Sequence, residues 1–223
     1  MTDTNEDLLV RFQKALRNYD HAASEQCARD LLDRGAAPTR LATTLTETLG
    51  TIGDEFAQGA IFLPELVLAA RAGQSAMSVV EKALAASSER MESRGMIVIG
   101  TVKGDVHDIG KNIISTLFFA AGFEVKDLGT NVSPEVFVEA VKTHQPDVLA
   151  MSALLTTTMS QQRTVIRELE SAKVRDGLKV IVGGAPVTAE FAAEIGADGY
   201  GDNAFDAVDL VKAFVDEAEV KTT

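Results

Sequence analysis

One cysteine, no tryptophan and three histidines stand in the 223 residues of this chain. A lone thiol, Cys27, cannot close an internal disulfide and lacks the companions that a thiolate metal site needs, so a small buried residue is expected there. Cations are scarce as well: 21 Lys and Arg stand against 33 Asp and Glu, for a net charge of −12. Binding a phosphate backbone depends on clustered cations that release counterions, so nucleic acid is not an expected partner. No apolar run approaches the ~20 residues that cross a bilayer. Residues 1–7 are polar and acidic rather than basic and then apolar, so no leader, no membrane and a cytoplasmic location are expected. What is present is an ordinary globular composition, 46% hydrophobic and 24% charged, with room for one large domain or two small ones.

Residues 5–88 carry apolar positions at a spacing near 3.6, in segments 8–19, 21–32, 38–56 and 64–85. The breaks fall at Asp20, at Gly35 with Pro38, and at Gly59 with Pro64, a proline placed where its missing N–H costs nothing. Four helices with short connections predict an antiparallel bundle. The polar stretch 86–95 reads as an interdomain linker. Beyond it the pattern changes to short β-branched runs (96–102, 124–129, 147–154, 179–185, 197–201) alternating with helical ones (109–121, 134–144, 161–174, 189–195 and from Ala204). The strand runs are apolar without alternation, as in strands covered on both faces. This predicts an α/β sheet of about five parallel strands, whose ligands bind beyond the strand ends at a topological switch point. The loops 104–110, 155–159, 183–186 and 201–203 are therefore where chemistry is expected.

The first of these loops reads Gly104-Asp-Val-His-Asp-Ile-Gly-Lys-Asn112. It is no P-loop: five residues separate its glycines, Asn112 stands where a hydroxyl is needed, and Asp105 and Asp108 would repel phosphate. It lacks the dinucleotide pattern G-x-G-x-x-G. A phosphoacceptor domain would need an Asp at the end of the third strand, where Ser152, Ala153 and Leu154 stand. A hydrolase would need a nucleophile near His107. A structural reading stands beside these, with His107 capping a helix at Ile109 and the aspartates favouring its positive end.

Asp105-x-His107-x-x-Gly110 resembles the cobalamin-binding signature shared by methionine synthase, the adenosylcobalamin mutases and the corrinoid proteins of methyltransferase systems. Ser152-Ala-Leu154 and Gly183-Gly184 resemble the second and third elements of that family, in order. Phe62-Leu-Pro-Glu-Leu66 is similar to the helical cap of methionine synthase and the small corrinoid proteins. The resemblance covers nearly the whole chain. It implies an N-terminal four-helix cap over residues 1–88, followed by a flavodoxin-like or Rossmann-like cobalamin-binding domain over residues 89–223.

The implied cofactor is cobalamin or a related corrinoid (methylcobalamin, hydroxocobalamin), held base-off with a histidine on cobalt. The resemblance puts His107 at that ligand position, with Asp105 fixing its tautomer, as carboxylates do behind metal-bound imidazoles. On that account Asp105→Asn is a milder lesion than His107→Ala. Gly104 and Gly110 would let the backbone approach the corrin, with Val106 and Asp108 in the same turn. Ser152, Leu154, Thr156, Gly183, Gly184 and Ala204 would line a slot for the nucleotide tail, where a side chain at Gly183 or Gly184 would take up the tail's space. Thr158 falls where methionine synthase has a serine extending the Asp–His relay. Phe62 would belong to the apolar cap over the methyl-bearing face. Met77, Met91, Met151 and Met159 are read as packing residues.

The resemblance implies a corrinoid methyl carrier. Co(I) takes a methyl group delivered by a substrate-specific methyltransferase and yields it to an acceptor methyltransferase serving a thiol or a folate, with a reductive activase as third partner. Catalysis by the chain alone is not expected. A cobalamin-dependent sensor is the alternative, but it would call for a DNA-binding domain and a tryptophan in the bundle. A mutase small subunit would not generally carry such a bundle.

Overall fold

In a computed structural model, which describes residues 4–87 and 93–222, the chain divides into two compact units. The first comprises Met1–Glu92 with Phe119–Gly122, and the second Ser93–Phe118 with Phe123–Thr223. Residues 88–92, half of the segment read as a linker and including Met91, lie outside the described residues.

The first unit holds α1 (Asn5–Arg17), α2 (His21–Asp33), α3 (Pro38–Ala57) and α4 (Leu63–Ala86). Helix α1 starts three residues before the apolar periodicity because Thr4 caps it. The Thr4 hydroxyl accepts from Asp7 N at 3.2 Å and the Asp7 carboxylate accepts from Thr4 N at 2.9 Å, a reciprocal pair that satisfies two free donors. Asp20 caps α2 in the same manner through Ala23 N, at 2.9 Å. At α4 the Glu65 carboxylate accepts from Phe62 N at 2.7 Å, which starts the helix at Leu63 with Pro64 in its first turn. Leu8, Phe12, Leu16, Leu31, Leu45, Leu49 and Leu66 form the core of the bundle. Buried Ala28, Ala69, Ala72 and Ala76 let α2 and α4 pack closely. Cys27 is buried and free, and Met77 is buried.

The second unit holds β1 (Met96–Thr101), α5 (Ile109–Ala120), β2 (Glu124–Asp127), α6 (Pro134–His144), β3 (Val148–Ser152), α7 (Ser160–Ser171), β4 (Lys179–Gly183), α8 (Ala189–Ile195), β5 (Gly199–Gly201) and α9 (Ala204–Thr222). All neighbouring strands are parallel, in the order β2-β1-β3-β4-β5. The order reverses between β1 and β3, so the loops after these two strands leave in opposite directions and open a crevice. Strands β1, β3 and β4 are buried almost throughout. Edge strand β2 is short and charged, which discourages pairing with another chain.

One face of the sheet is solid. Val98, Leu149 and Val180 pack there with Phe137 and Val141 of α6, Val165 and Leu169 of α7 and Ile195 of α8. Met151 is buried in this core and Met159 packs against it. The opposite face, with α5 and the start of α9 beside it, is left partly uncovered. Among the described residues no helix is long and apolar enough to cross a membrane.

Candidate functional site

The loop after β1 is pinned at several points before any side chain in it can act. Asp105 N donates to Val102 O at 3.1 Å, Gly104 N to the Asn131 carboxamide oxygen at 2.8 Å, and Asn131 N to Asp105 O at 2.8 Å. Gly104 sits at φ +83, where a side chain is strained, so its glycine serves the turn itself. The Thr101 hydroxyl donates to His107 O at 3.0 Å. Asp108 closes the loop by accepting from Asn112 N at 2.7 Å and from its side-chain amide at 3.0 Å.

Within this frame Asp105 is fully buried and receives five donors. Its Oδ1 takes His107 N at 3.1 Å and lies 2.7 Å from His107 Nδ1. Its Oδ2 takes Leu154 N at 2.7 Å, Leu155 N at 3.2 Å and the Thr158 hydroxyl at 2.7 Å. Burial pushes the carboxyl pKa up, but the hydrogen bonds from Thr158, His107 and the Leu154 and His107 N–H groups outweigh it and hold the group well below the usual carboxylate range. Asp105 is thus an anion at neutral pH and can only accept. In the neutral imidazole His107 Nδ1 therefore carries the proton, and Nε2 presents a lone pair. The His107 side chain is 46% exposed, so that lone pair is available to a ligand-seeking metal.

Thr158 supplies the one side chain of its turn that bonds to Asp105, and with Asp105 and His107 it forms a continuous relay. Thr158→Val is expected to lower the stability of the metal-free protein by about 1–2 kcal/mol, since one hydrogen bond to a charged group is lost while two backbone donors to Asp105 Oδ2 remain. Thr158→Ser is expected to restore most of it. Thermal unfolding of the three proteins checks this, and a silent valine variant would remove Thr158 from the relay.

Beside His107 opens a cleft of about 540 Å³. One wall is the start of α5 (Ile109, Gly110, Ile113, Ile114), the other is β5 and the start of α9 (Gly201, Asp202, Asn203, Ala204, Ala207), and the floor is the sheet. A Cβ at Gly110 would meet nothing within 4 Å, so that wall faces open space. Val106, Ile109 and Leu154 are large, apolar and exposed around the cleft, a mouth suited to a flat apolar body. Among the described residues no group of three or more His, Cys, Asp and Glu could hold a metal ion.

Of the residues singled out in the sequence, Val106, His107, Asp108, Gly110, Ser152, Leu154, Gly183, Gly184 and Ala204 line this cleft. Asp105 and Thr158 stand behind His107. Thr156 is exposed in the turn before α7 and is not brought to the cleft, because the chain turns away after Leu155. Phe62 lies in the first unit, 74% exposed beside the start of α4. Gly184 has a backbone reason beside the one expected: at φ +121, its Cβ would overlap the backbone carbonyl of Ala153, so the glycine is needed for the β3 and β4 ends to lie close.

Sequence reasoning missed Asn131, which holds the loop, and Lys111. The Lys111 side chain is 2% exposed; its ammonium pairs with Asp127 and donates to the Asn112 carboxamide oxygen at 2.7 Å, tying α5 to the edge strand. It also missed the floor residues Ile99, Ala150 and Ile181. Each stands two positions before Thr101, Ser152 and Gly183 on the same strand face, so the period-2 rule could have found them.

Comparison with known proteins bears on the site directly. Residues 95–209 match a family described as B12 binding domain, and residues 8–81 match a second family with the same description. The trimethylamine corrinoid protein of Methanosarcina barkeri is 41% identical over 209 residues, 93% of this chain and 96% of that one. Dimethylamine corrinoid protein 3 of Methanosarcina acetivorans is 40% identical over 200 residues, 90% of this chain and 89% of that one. In solved structures, a chain of the methanol:cobalamin methyltransferase complex of Methanosarcina barkeri superposes with a TM-score of 0.84 at 28% identity, over 95% of this chain and 81% of that one. A cobalamin-binding protein of Desulfitobacterium hafniense gives a TM-score of 0.63 at 31% identity, over 94% and 98%. The chain belongs to the family of B12-binding corrinoid proteins of methyltransferase systems, with a helical N-terminal unit joined to a parallel α/β cobalamin-binding unit.

Proposed function

We propose that this protein is a methyl carrier that binds its corrinoid base-off, with His107 Nε2 as the lower axial ligand of cobalt. One observation carries the reading: a buried anion, Asp105, holds Nδ1 and leaves Nε2 free beside a cleft of about 540 Å³. The bound corrinoid supplies the cobalt that takes up and gives up the methyl group. The chain's residues do the rest. Asp105 fixes the tautomer and orientation of His107 and raises its basicity, Thr158 and the Leu154 and Leu155 N–H groups fix Asp105, and the cleft walls hold the tail.

The partners are a substrate-specific methyltransferase, an acceptor methyltransferase for a thiol or folate, and a reductive activase. A methylated amine is the donor we assign. Relatives near 40% identity are named trimethylamine and dimethylamine corrinoid proteins, and the structural relative from a methanol:cobalamin methyltransferase complex supports a methyltransferase as partner.

Nitrogen-15-labelled protein reconstituted with unlabelled cobalamin tests the ligation. Electron paramagnetic resonance of the Co(II) form is expected to show the doublet splitting of one nitrogen-15 nucleus. A triplet from the cofactor's own nitrogen-14 would end the His-on reading.

A further inference from the structure

We infer that the cleft selects its corrinoid by the lower base, favouring one whose far edge is hydrocarbon, such as dimethylbenzimidazole, over one that carries a hydroxyl or amino group there. The inference rests on the base-off reading above, in which the nucleotide tail occupies this cleft.

The selectivity is written in two successive rows of the sheet. The row nearer the strand ends is Thr101, Ser152 and Gly183, paired across β1, β3 and β4. The next row down on the same face is Ile99, Ala150 and Ile181, paired in the same way. It is wholly hydrocarbon, and its backbone polar groups belong to a parallel ladder. Ile113 and Ile114 of α5 and Ala207 of α9 add further hydrocarbon to the lining of the cleft.

The polar side chains of the lining stand elsewhere and are mostly committed. Asp108 accepts from Asn112, Tyr200 donates to Asp202, and Asn203 is tied to Phe205 and Asp206 at the start of α9. The Lys111 ammonium is turned towards Asp127 on β2, away from β3 and β4. Ser152 lies one row above the floor. A base entering edge-first past Ser152 therefore brings its far edge against hydrocarbon alone. Methyl groups on that edge leave water favourably, whereas a hydroxyl or amino group loses its water and finds no partner. The expected preference is on the order of 10- to 100-fold.

The test titrates apoprotein with two cobamides, one carrying dimethylbenzimidazole and the other 5-hydroxybenzimidazole. Both bases hold cobalt through the same kind of imidazole nitrogen, so the cost of releasing it is alike. Dissociation constants are read by calorimetry, and resonance spectra of the Co(II) complexes report the axial nitrogen. The dimethyl form is expected to bind 10- to 100-fold tighter, both forms with histidine on cobalt. Equal affinities with histidine on cobalt in both would overturn the selectivity and leave base-off binding intact. Retention of the cofactor's own base in both would overturn the base-off reading instead. Ala150→Ser places a hydroxyl at the centre of the floor and is expected to narrow the preference several-fold, with Ile181→Thr as the second variant should the first fail to fold. An undiminished preference in a folded variant would overturn the assignment to this row.

Discussion

Replacing His107 with alanine is expected to remove the protein nitrogen from cobalt and to slow methyl transfer by at least 100-fold, while the metal-free protein stays folded. Losing the residue behind a metal-bound histidine typically costs 10- to 100-fold, and losing the ligand itself sets a floor at the top of that range. The fold is expected to survive because the ring is 46% exposed and contributes little packing. The main-chain bonds of residue 107, from its N–H to Asp105 and from Thr101 to its carbonyl, do not depend on the ring. The apoprotein midpoint is expected to fall by only a few degrees, because Asp105 Oδ1 loses the ring's Nδ1 donor but keeps the main-chain donor of residue 107. Methyl-transfer rates, Co(II) spectra and thermal unfolding check the three parts separately. Added imidazole is expected to restore part of the rate by entering the vacated position. A variant that keeps the protein nitrogen splitting would show that another residue ligates cobalt.

The secondary structure was largely legible in the sequence because both halves obey simple periods. Apolar positions near 3.6 marked the four helices of the first unit, and short doubly buried runs marked β1, β3 and β4. Errors gathered at ends, where side-chain caps rather than periodicity decide. Helix α1 begins at Asn5 because Thr4 and Asp7 bond reciprocally. Helix α7, read as running to residue 174, stops at Ser171 because Lys173 takes φ 57, a conformation that hydrophobic spacing does not report.

The site was legible where residues adjacent in sequence act together, as Asp105 and His107 do. It was hidden where the partners are far apart. Asn131 reaches the loop across 27 positions and Leu154 N reaches Asp105 across 49, and neither carries a chemical signature of its own. Gly184 was found for a reason other than the one the backbone gives. Lys111 was passed over because a lysine beside a helix start reads as solvated, whereas here an ion pair with Asp127 compensates its burial.

Those distant bonds change what is expected of Asp105→Asn. The sequence suggests a tautomer role and a mild lesion, but the carboxylate also clamps the loop after β1 to the loop after β3. An asparagine has one acceptor oxygen for five donors. With its NH₂ in the place of Oδ2, Leu154 N and Leu155 N lose their partner. With its NH₂ in the place of Oδ1, His107 N loses its own, and Nδ1 must accept, which moves the ring proton to Nε2 and blocks the metal-facing edge. Either way the metal-free protein is expected to lose about 1–3 kcal/mol, the cost of leaving buried groups unpaired, with a fall of several degrees in its thermal midpoint. The pH dependence has a definite sign. The folded pKa lies below the ordinary unfolded value near ~3.9, so the stabilisation by Asp105 is fully present above about pH 4 and fades as the pH falls towards the folded value. Asparagine does not titrate there. The gap between wild type and variant is therefore expected to close as the pH falls below about pH 4, as read from denaturant unfolding across the acid range. Equal stability of the two proteins at pH 7, with the histidine splitting retained in the variant's Co(II) spectrum, would show that Asp105 neither clamps the loops nor sets the tautomer.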